Sequence, residues 1–179
     1  MEMTRHAPAT GRTAAEQMSD TSPDKAGDGN EEQPCFVDNY FLFLLAMASH
    51  TISAEFHDYL RQKSVRVSDW RILSCLADRE GLMITELAAL ALLEQPHVTK
   101  IVDRLQQEGL VEKRSDDADR RRTRVHITPT GRLFVNGLIA DAKAHEARVL
   151  STLTRREQDV IYRILRKLRD RHQSPFRPS

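Results

Sequence analysis

Between Phe36 and about Lys63, large apolar residues recur at spacings of three and four: Phe41, Leu45, Ala48, Ile52, Phe56 and Tyr59. That period predicts a long amphipathic helix. Leu42, Leu44 and Leu60 widen the stripe until it suits more than one packing partner. Ser68 reads as the cap of a second helix, Asp69 to Arg79, closed by Gly81, with Trp70, Leu73, Leu76 and Ala77 as its apolar face. Thr85 reads as the cap of a short third helix, Glu86 to Leu90. A fourth runs from Pro96 to Glu108 and ends at Gly109, with Val98, Ile101, Val102 and Leu105 facing inward. Pro96 falls in the first turn, where a missing N–H costs nothing.

The period then switches to two. "LVEKRS" is a short strand, and in "TRVHIT" Thr123, Val125 and Ile127 alternate with Arg124 and His126. Two such runs around a charged loop predict a β-hairpin. Thr128-Pro129 opens a fifth helix to about Leu150, and Thr154-x-x-Glu157 is a capping box for a sixth, ending near Arg171. No internal repeat is present. A mainly α chain in which three short helices precede a small hairpin is the winged helix-turn-helix pattern. The flanking helices carry wider apolar stripes than so small a core would cover.

Composition narrows the class. The 179 residues suit one domain with a tail, and no apolar run approaches the ~20 residues of a membrane span. The first residues lack the apolar core of a signal peptide, which points to the cytoplasm. Cys35 and Cys75 are too few and too far apart for a disulfide framework or a zinc knuckle. Residues 1–34 hold almost no large apolar side chains and are expected to be disordered, and residues 173–179 are expected to be a flexible C-terminus. Residues 1–39 carry eight acids and three bases, so the remaining 140 carry 24 Lys/Arg against 18 Asp/Glu, a net +6. A folded part of that sign favours polyanions. There is no glycine-rich phosphate loop, nucleophile motif or paired-acid cleft, so no enzyme and no cofactor are expected.

The densest positive charge is Arg120, Arg121, Arg122 and Arg124, at and beside the hairpin tip. Such a tip suits a minor groove, where phosphates on both sides deepen the negative potential. Arginine fits because its planar, permanently charged head sheds water more readily than an ammonium group. Asp119 is placed to pair with an arginine across the turn and fix its direction. The outward N-terminal side of the fourth helix offers Gln95 for an adenine edge and Pro96 and Thr99 for a thymine methyl. His97 stands beside them, and Lys100 and Arg104 are available for phosphate or guanine. The expected partner is double-stranded DNA.

The run "ITELAALALLEQPHVTKIVDRLQQEGLVEKRSDDADRRRTRVHITPTGR" resembles the MarR family of bacterial transcription regulators. The matching features are Glu86-Leu87-Ala88, Val98-Thr99, Val102-Asp103-Arg104-Leu105, Gly109-Leu110-Val111, Asp119-Arg120-Arg121, Ile127-Thr128 and Gly131. The resemblance implies that Arg121 is the wing arginine of the minor groove and Asp119 its brace. It implies that residues 66–127 are the winged DNA-binding domain and that residues 36–65 and 128–172 form an intertwined α-helical homodimerisation region. Glu94 and Gln95 depart from the family, standing where a small capping residue is common. The family further implies a small-molecule effector between the dimerisation helices and the winged domain, and repression as the commoner mode. The expected lining is His50, His57 and Arg61 on the first helix with Trp70 and Arg71 on the second. Imidazole, guanidinium and an aromatic wall suit a small aromatic carboxylate. The chain as a whole also resembles regulators of nicotinic-acid breakdown.

Three other readings compete. A peroxide sensor of this family would carry a cysteine where Leu42 stands, leaving Cys35 as the nearer thiol and Cys75 as a buried one. A zinc sensor would need His50, His57 and His145 to converge with Glu55 or Asp58. A winged module for protein partners would have no need of four arginines.

Overall fold

The computed structural model describes residues 35–116, 119–120 and 122–172. The acidic N-terminal segment, residues 173–179 and Arg121 lie outside the described residues. The chain order is α1 (Phe36–Asn39), α2 (Phe41–Gln62), α3 (Val67–Asp78), β1 (Leu82–Met83), α4 (Ile84–Ala91), α5 (Gln95–Gln107), β2 (Val111–Ser115), β3 (Thr123–Ile127), α6 (Pro129–Leu150) and α7 (Arg155–His172).

The apolar stripe of α5 falls where its period places it: Val98, Ile101, Val102 and Leu105 are all buried. They meet Ile72, Leu73 and Leu76 of α3, Leu87 of α4, and Val111, Val125 and Ile127 of the sheet in the main core. Gly109, at φ +73°, ends α5 and turns the chain into β2. The sheet has three antiparallel strands in the order β1-β3-β2, with Val111 opposite Ile127 and Leu82 opposite Val125. The expected hairpin is therefore two strands of a sheet whose third strand is only Leu82 and Met83.

α6 starts as its sequence says. Thr128 Oγ1 accepts from Gly131 N at 3.0 Å and donates to Gly109 O at 2.7 Å, tying the helix start to the end of α5. A Cβ on Gly131 would fall 2.0 Å from Leu110 O, so only glycine allows this approach. The second capping box also forms: Thr154 N donates to Glu157 Oε2 at 2.7 Å, and Glu157 N donates to Thr154 Oγ1 at 3.4 Å. The hydroxyl and backbone N–H of Thr154 favour the ionised carboxylate and lower the Glu157 pKa.

Three expected helix starts move. The long first helix breaks at Tyr40 into α1 and α2. α3 begins at Val67 after Arg66, so Ser68 is not its cap; the Ser68 hydroxyl turns to Asp69 instead. α4 begins at Ile84, with the Met83 N–H held by the Glu86 carboxylate at 2.7 Å, which leaves Thr85 inside the first turn. Only at α4 does another side chain, the Glu86 carboxylate, take over what a hydroxyl was expected to supply; α3 starts without a side-chain cap.

A smaller core joins α2 to α3 and α6 through Phe56, Leu60, Val65 and Leu138. Trp70 belongs to both cores and meets Phe56 edge-on at 5.4 Å. Beyond it the apolar stripes run uncovered. Phe41, Leu42, Phe43, Leu44 and Leu45 are exposed on consecutive positions of α2, and Ile161, Ile164 and Leu165 are exposed on α7. Among the described residues no helix is long and apolar enough to cross a membrane.

Candidate nucleic-acid interface and effector region

α4, a short turn and α5 form the two crossed helices, and the leading edge of α5 faces outward. Glu94, Gln95, Pro96, His97 and Lys100 line that edge. Glu94 is the N-cap residue; its side chain caps nothing, and its backbone carbonyl accepts from His97 and Val98 N–H, each at 3.0 Å. The Thr99 hydroxyl donates to Gln95 O at 3.1 Å, which leaves its methyl group as the outward chemistry.

Arg104 is different. It was expected to reach phosphate or guanine, but Nη1 donates to Asp69 Oδ2 at 3.0 Å and Nη2 to Asp69 Oδ1 at 2.5 Å, with Glu108 3.3 Å away. This bidentate pair raises the Arg104 pKa, and it fastens the recognition helix to α3. Asp103, next to it, takes Lys113 of β2, so the same helix is also tied to the wing.

At the wing, Arg122 donates its backbone N–H to Asp119 O at 2.8 Å, and its side chain lies 3.3 Å from the Asp119 carboxylate. The expected brace of Asp119 on Arg121 lies outside the described residues; the ion pair described for Asp119 is with Arg122. Arg120 is exposed. Arg124, also expected on DNA, points to the base of the wing. It donates to Asp116, whose carboxylate is buried, and to Gly81 O at 2.7 Å. Asp69, Asp116 and Gly81 were not anticipated: their partners are 35, 8 and 43 residues away, and no local pattern marks such pairs.

The five residues expected around an effector divide. His57 is partly covered, and its pKa is lowered by burial first, then by Arg71, Arg61 and His50. Three basic groups therefore surround one imidazole. Arg61 is held by Asp58. Among the described residues Arg71 has no ion-pair partner. Trp70 is given to the two cores rather than to a cavity. A cleft of about 130 Å³ between α2 and α6 is lined by other residues, chiefly Phe56, Tyr59, Asp141, His145 and Arg148. The buried His145 Nε2 lies 3.3 Å from Glu55 Oε2, out of hydrogen-bonding alignment. Among the described residues no three His, Cys, Asp or Glu side chains gather as a metal site. Cys75 is half-buried, and burial raises its thiol pKa, which keeps it protonated and poorly nucleophilic.

An exposed second helix, a crossed helix behind it and a basic antiparallel hairpin define a winged helix-turn-helix protein. The family model described as MarR family matches residues 66–123. A MarR family transcriptional regulator of Silicibacter pomeroyi DSS-3 is 44% identical, with 75% of this chain and 96% of that one covered at a TM-score of 0.68. The chain belongs to the MarR family of DNA-binding transcriptional regulators. It is also similar to the HTH-type transcriptional regulator FarR of Neisseria gonorrhoeae, 31% identical over 49% of this chain and 60% of that one. NadR, solved in complex with 4-hydroxyphenylacetate, is 25% identical over 69% of this chain and 88% of that one, with a TM-score of 0.63.

Proposed function

We propose that this protein is a ligand-responsive repressor that binds a pseudo-palindromic operator as a homodimer and is released by a small aromatic carboxylate. The observation that carries the dimer is the uncovered apolar run Phe41–Leu45 on α2 together with Ile161, Ile164 and Leu165 on α7. A run apolar on every face needs cover on every face, and a second copy supplies the same stripe in return. Two copies present two α5 edges and two wings. Gln95, Pro96, His97, Thr99 and Lys100 would read the major groove, and Arg120, Arg121 and Arg122 would enter the flanking minor groove. Half-sites should then lie about one helical turn, ~10 base pairs, apart.

The effector reading rests on the basic groups His50, Arg61 and Arg71 around His57. An anion placed there gains Coulomb energy from groups that now repel one another. NadR's 4-hydroxyphenylacetate is a small molecule of that chemistry, and a pyridine carboxylate such as a hydroxynicotinate would fit the same description. To release DNA, the acid must favour the non-binding geometry by a few kcal/mol.

The test is binding of the protein to DNA upstream of its own gene, with the mass in solution measured in parallel. A dimer whose affinity falls steeply with salt, as ~8–10 neutralised phosphates require, and falls again on adding 4-hydroxyphenylacetate or 6-hydroxynicotinate is the expected result. A monomer, or a protein indifferent to that DNA at low ionic strength, would overturn the proposal.

A further inference from the structure

The turn between α4 and α5 closes with a leucine where the backbone favours glycine. Leu92 follows the last turn of α4 at φ +55° and ψ +48°, in the left-handed region. A leucine there is strained, because its Cβ crowds the following carbonyl; glycine is the usual solution after a helix. This chain uses that solution at Gly81 and Gly109, and the small polar Ser64 takes the same region after α2. At residue 92 it does not, and the side chain recovers nothing by burial: Leu92 is 80% exposed, more than any other large apolar residue described. The packing work of the turn is done by its neighbour Leu93, which lies against the main core and donates its N–H to Ala88 O at 3.0 Å.

The backbone hydrogen bonds that close α4 here would form equally well with glycine, so the return for an exposed leucine side chain comes from elsewhere. The segment leads directly into the exposed start of α5, at Glu94, Gln95, Pro96 and His97. In a docked helix-turn-helix the N-terminal end of the second helix is the end nearest the bases. We propose that Leu92 is a specificity residue that makes an apolar contact with a thymine 5-methyl group at the edge of the operator. The inference rests on the DNA-binding reading above and adds a contact outside the recognition helix. Apolar contact with a thymine methyl is one of the ways a major groove is read without a hydrogen bond. It also explains why the position holds a branched aliphatic side chain rather than a polar one.

The experiment compares the wild-type protein with Leu92→Gly and Leu92→Ala. Duplexes are first selected by the wild type from a random pool, then resynthesised with deoxyuridine in place of thymidine. Leu92→Gly relieves the backbone and removes the apolar side chain; Leu92→Ala removes most of the side chain and keeps the strain. The glycine variant should hold or raise Tm while both variants bind the selected duplex roughly 5- to 10-fold more weakly. Binding to a scrambled duplex should be unchanged. Deoxyuridine should weaken the wild type more than it weakens the variants, because the wild type has one more methyl contact to lose. An equal loss in all three would overturn the proposal. A glycine variant less stable than the wild type, or variants that bind the selected duplex as tightly, would overturn it, and the second outcome would turn attention to a protein partner. A wild type that enriches no duplex would instead sink the DNA-binding reading, and this inference with it.

Discussion

Arg104 of the recognition helix grips Asp69 of α3 with both of its terminal nitrogens, at 3.0 and 2.5 Å, across 35 residues of chain. Asp69 is buried and the Arg104 side chain is only 26% exposed, so the pair is largely removed from water. The fork-on-carboxylate geometry fixes rotation as well as distance. The orientation of α5 is thus set from behind by α3, the helix that also carries Trp70 and Arg71.

Breaking the pair from one side leaves a covered charge without its partner. Asp69→Ala should cost roughly 2–4 kcal/mol. Asp69→Ala combined with Arg104→Ala should cost less than the sum of the two single changes, because the second removes the stranded charge. Urea unfolding of the three variants and the parent checks this. Additive single effects would show that the contact contributes nothing to holding α5.

Sequence periodicity is a good guide wherever an element's own neighbours decide its fate. The stripe of α5, the Thr128 start of α6 and the Thr154–Glu157 box are local patterns, and each appears as read. It is a poor guide where the decision is made across the chain. Leu82 and Met83 become a strand only because β3 lies beside them. Arg104 and Arg124 look like free cations in a basic stretch, and only the fold reveals Asp69 and Asp116 against them. Trp70 looks available to a ligand, yet it is the piece that both cores share. The stripe of α2 is legible as too wide for one partner, since only Phe56 and Leu60 of that helix are buried by the chain itself.

Gly131 offers a sharper test of packing. Its missing Cβ is what lets the start of α6 approach the Leu110 carbonyl, and the obstructing atom is backbone rather than a side chain that can swing away. Gly131→Ala should therefore destabilise by about 2–3 kcal/mol in spite of alanine's better helix propensity. A fall in Tm of roughly 5–10 °C is the expected readout. An unchanged Tm would mean that α6 can retreat from α5 freely.

The α7 cap makes stability depend on acid. Glu157 has a folded-state pKa below its unfolded one, through the Thr154 hydroxyl and backbone N–H. Its contribution is therefore fully present above the ordinary glutamate pKa of ~4.3 and is lost as pH falls through the depressed folded value. Glu157→Gln should reduce helix content at about pH 6 and flatten its change on acidification, as followed by circular dichroism. Equal acid sensitivity in parent and variant would assign the transition to other carboxylates.

His57 carries the corresponding test for the effector region. Burial and the nearby Arg71, Arg61 and His50 lower its pKa, so protonation disfavours the folded state. Stability should fall as pH drops through the unfolded histidine value of ~6.5 towards the lowered one, and His57→Asn should blunt that fall. A bound carboxylate reverses the sign at the site: it favours the protonated ring, so it must bind more tightly as pH falls from about 7.5 to about 6. Calorimetry with 4-hydroxyphenylacetate should then register proton uptake, and NMR should show the His57 resonance titrating at higher pH with the acid than without it. Binding that is pH-independent in the parent would move the acid away from His57.

The wing arginines should separate by what they already hold. Arg120 and Arg122 are exposed, and the ion pair of Arg122 among the described residues is with the partly exposed Asp119 carboxylate. Replacing either with alanine should leave Tm within about a degree or two and lower the slope of log affinity against log salt by about 0.9 for each phosphate no longer neutralised. Arg124 joins the buried Asp116 to the Gly81 carbonyl and so anchors the strand pair to the turn before β1. Arg124→Ala should lower Tm by several degrees, because it takes the guanidinium away from a covered carboxylate and from the Gly81 carbonyl together. Its salt slope should change less than its affinity, since the weakening comes from a wing that no longer holds its direction rather than from a phosphate left bare. If Arg124→Ala instead kept the parental Tm and dropped a full unit of slope, Arg124 would belong on the DNA backbone and not at the base of the wing.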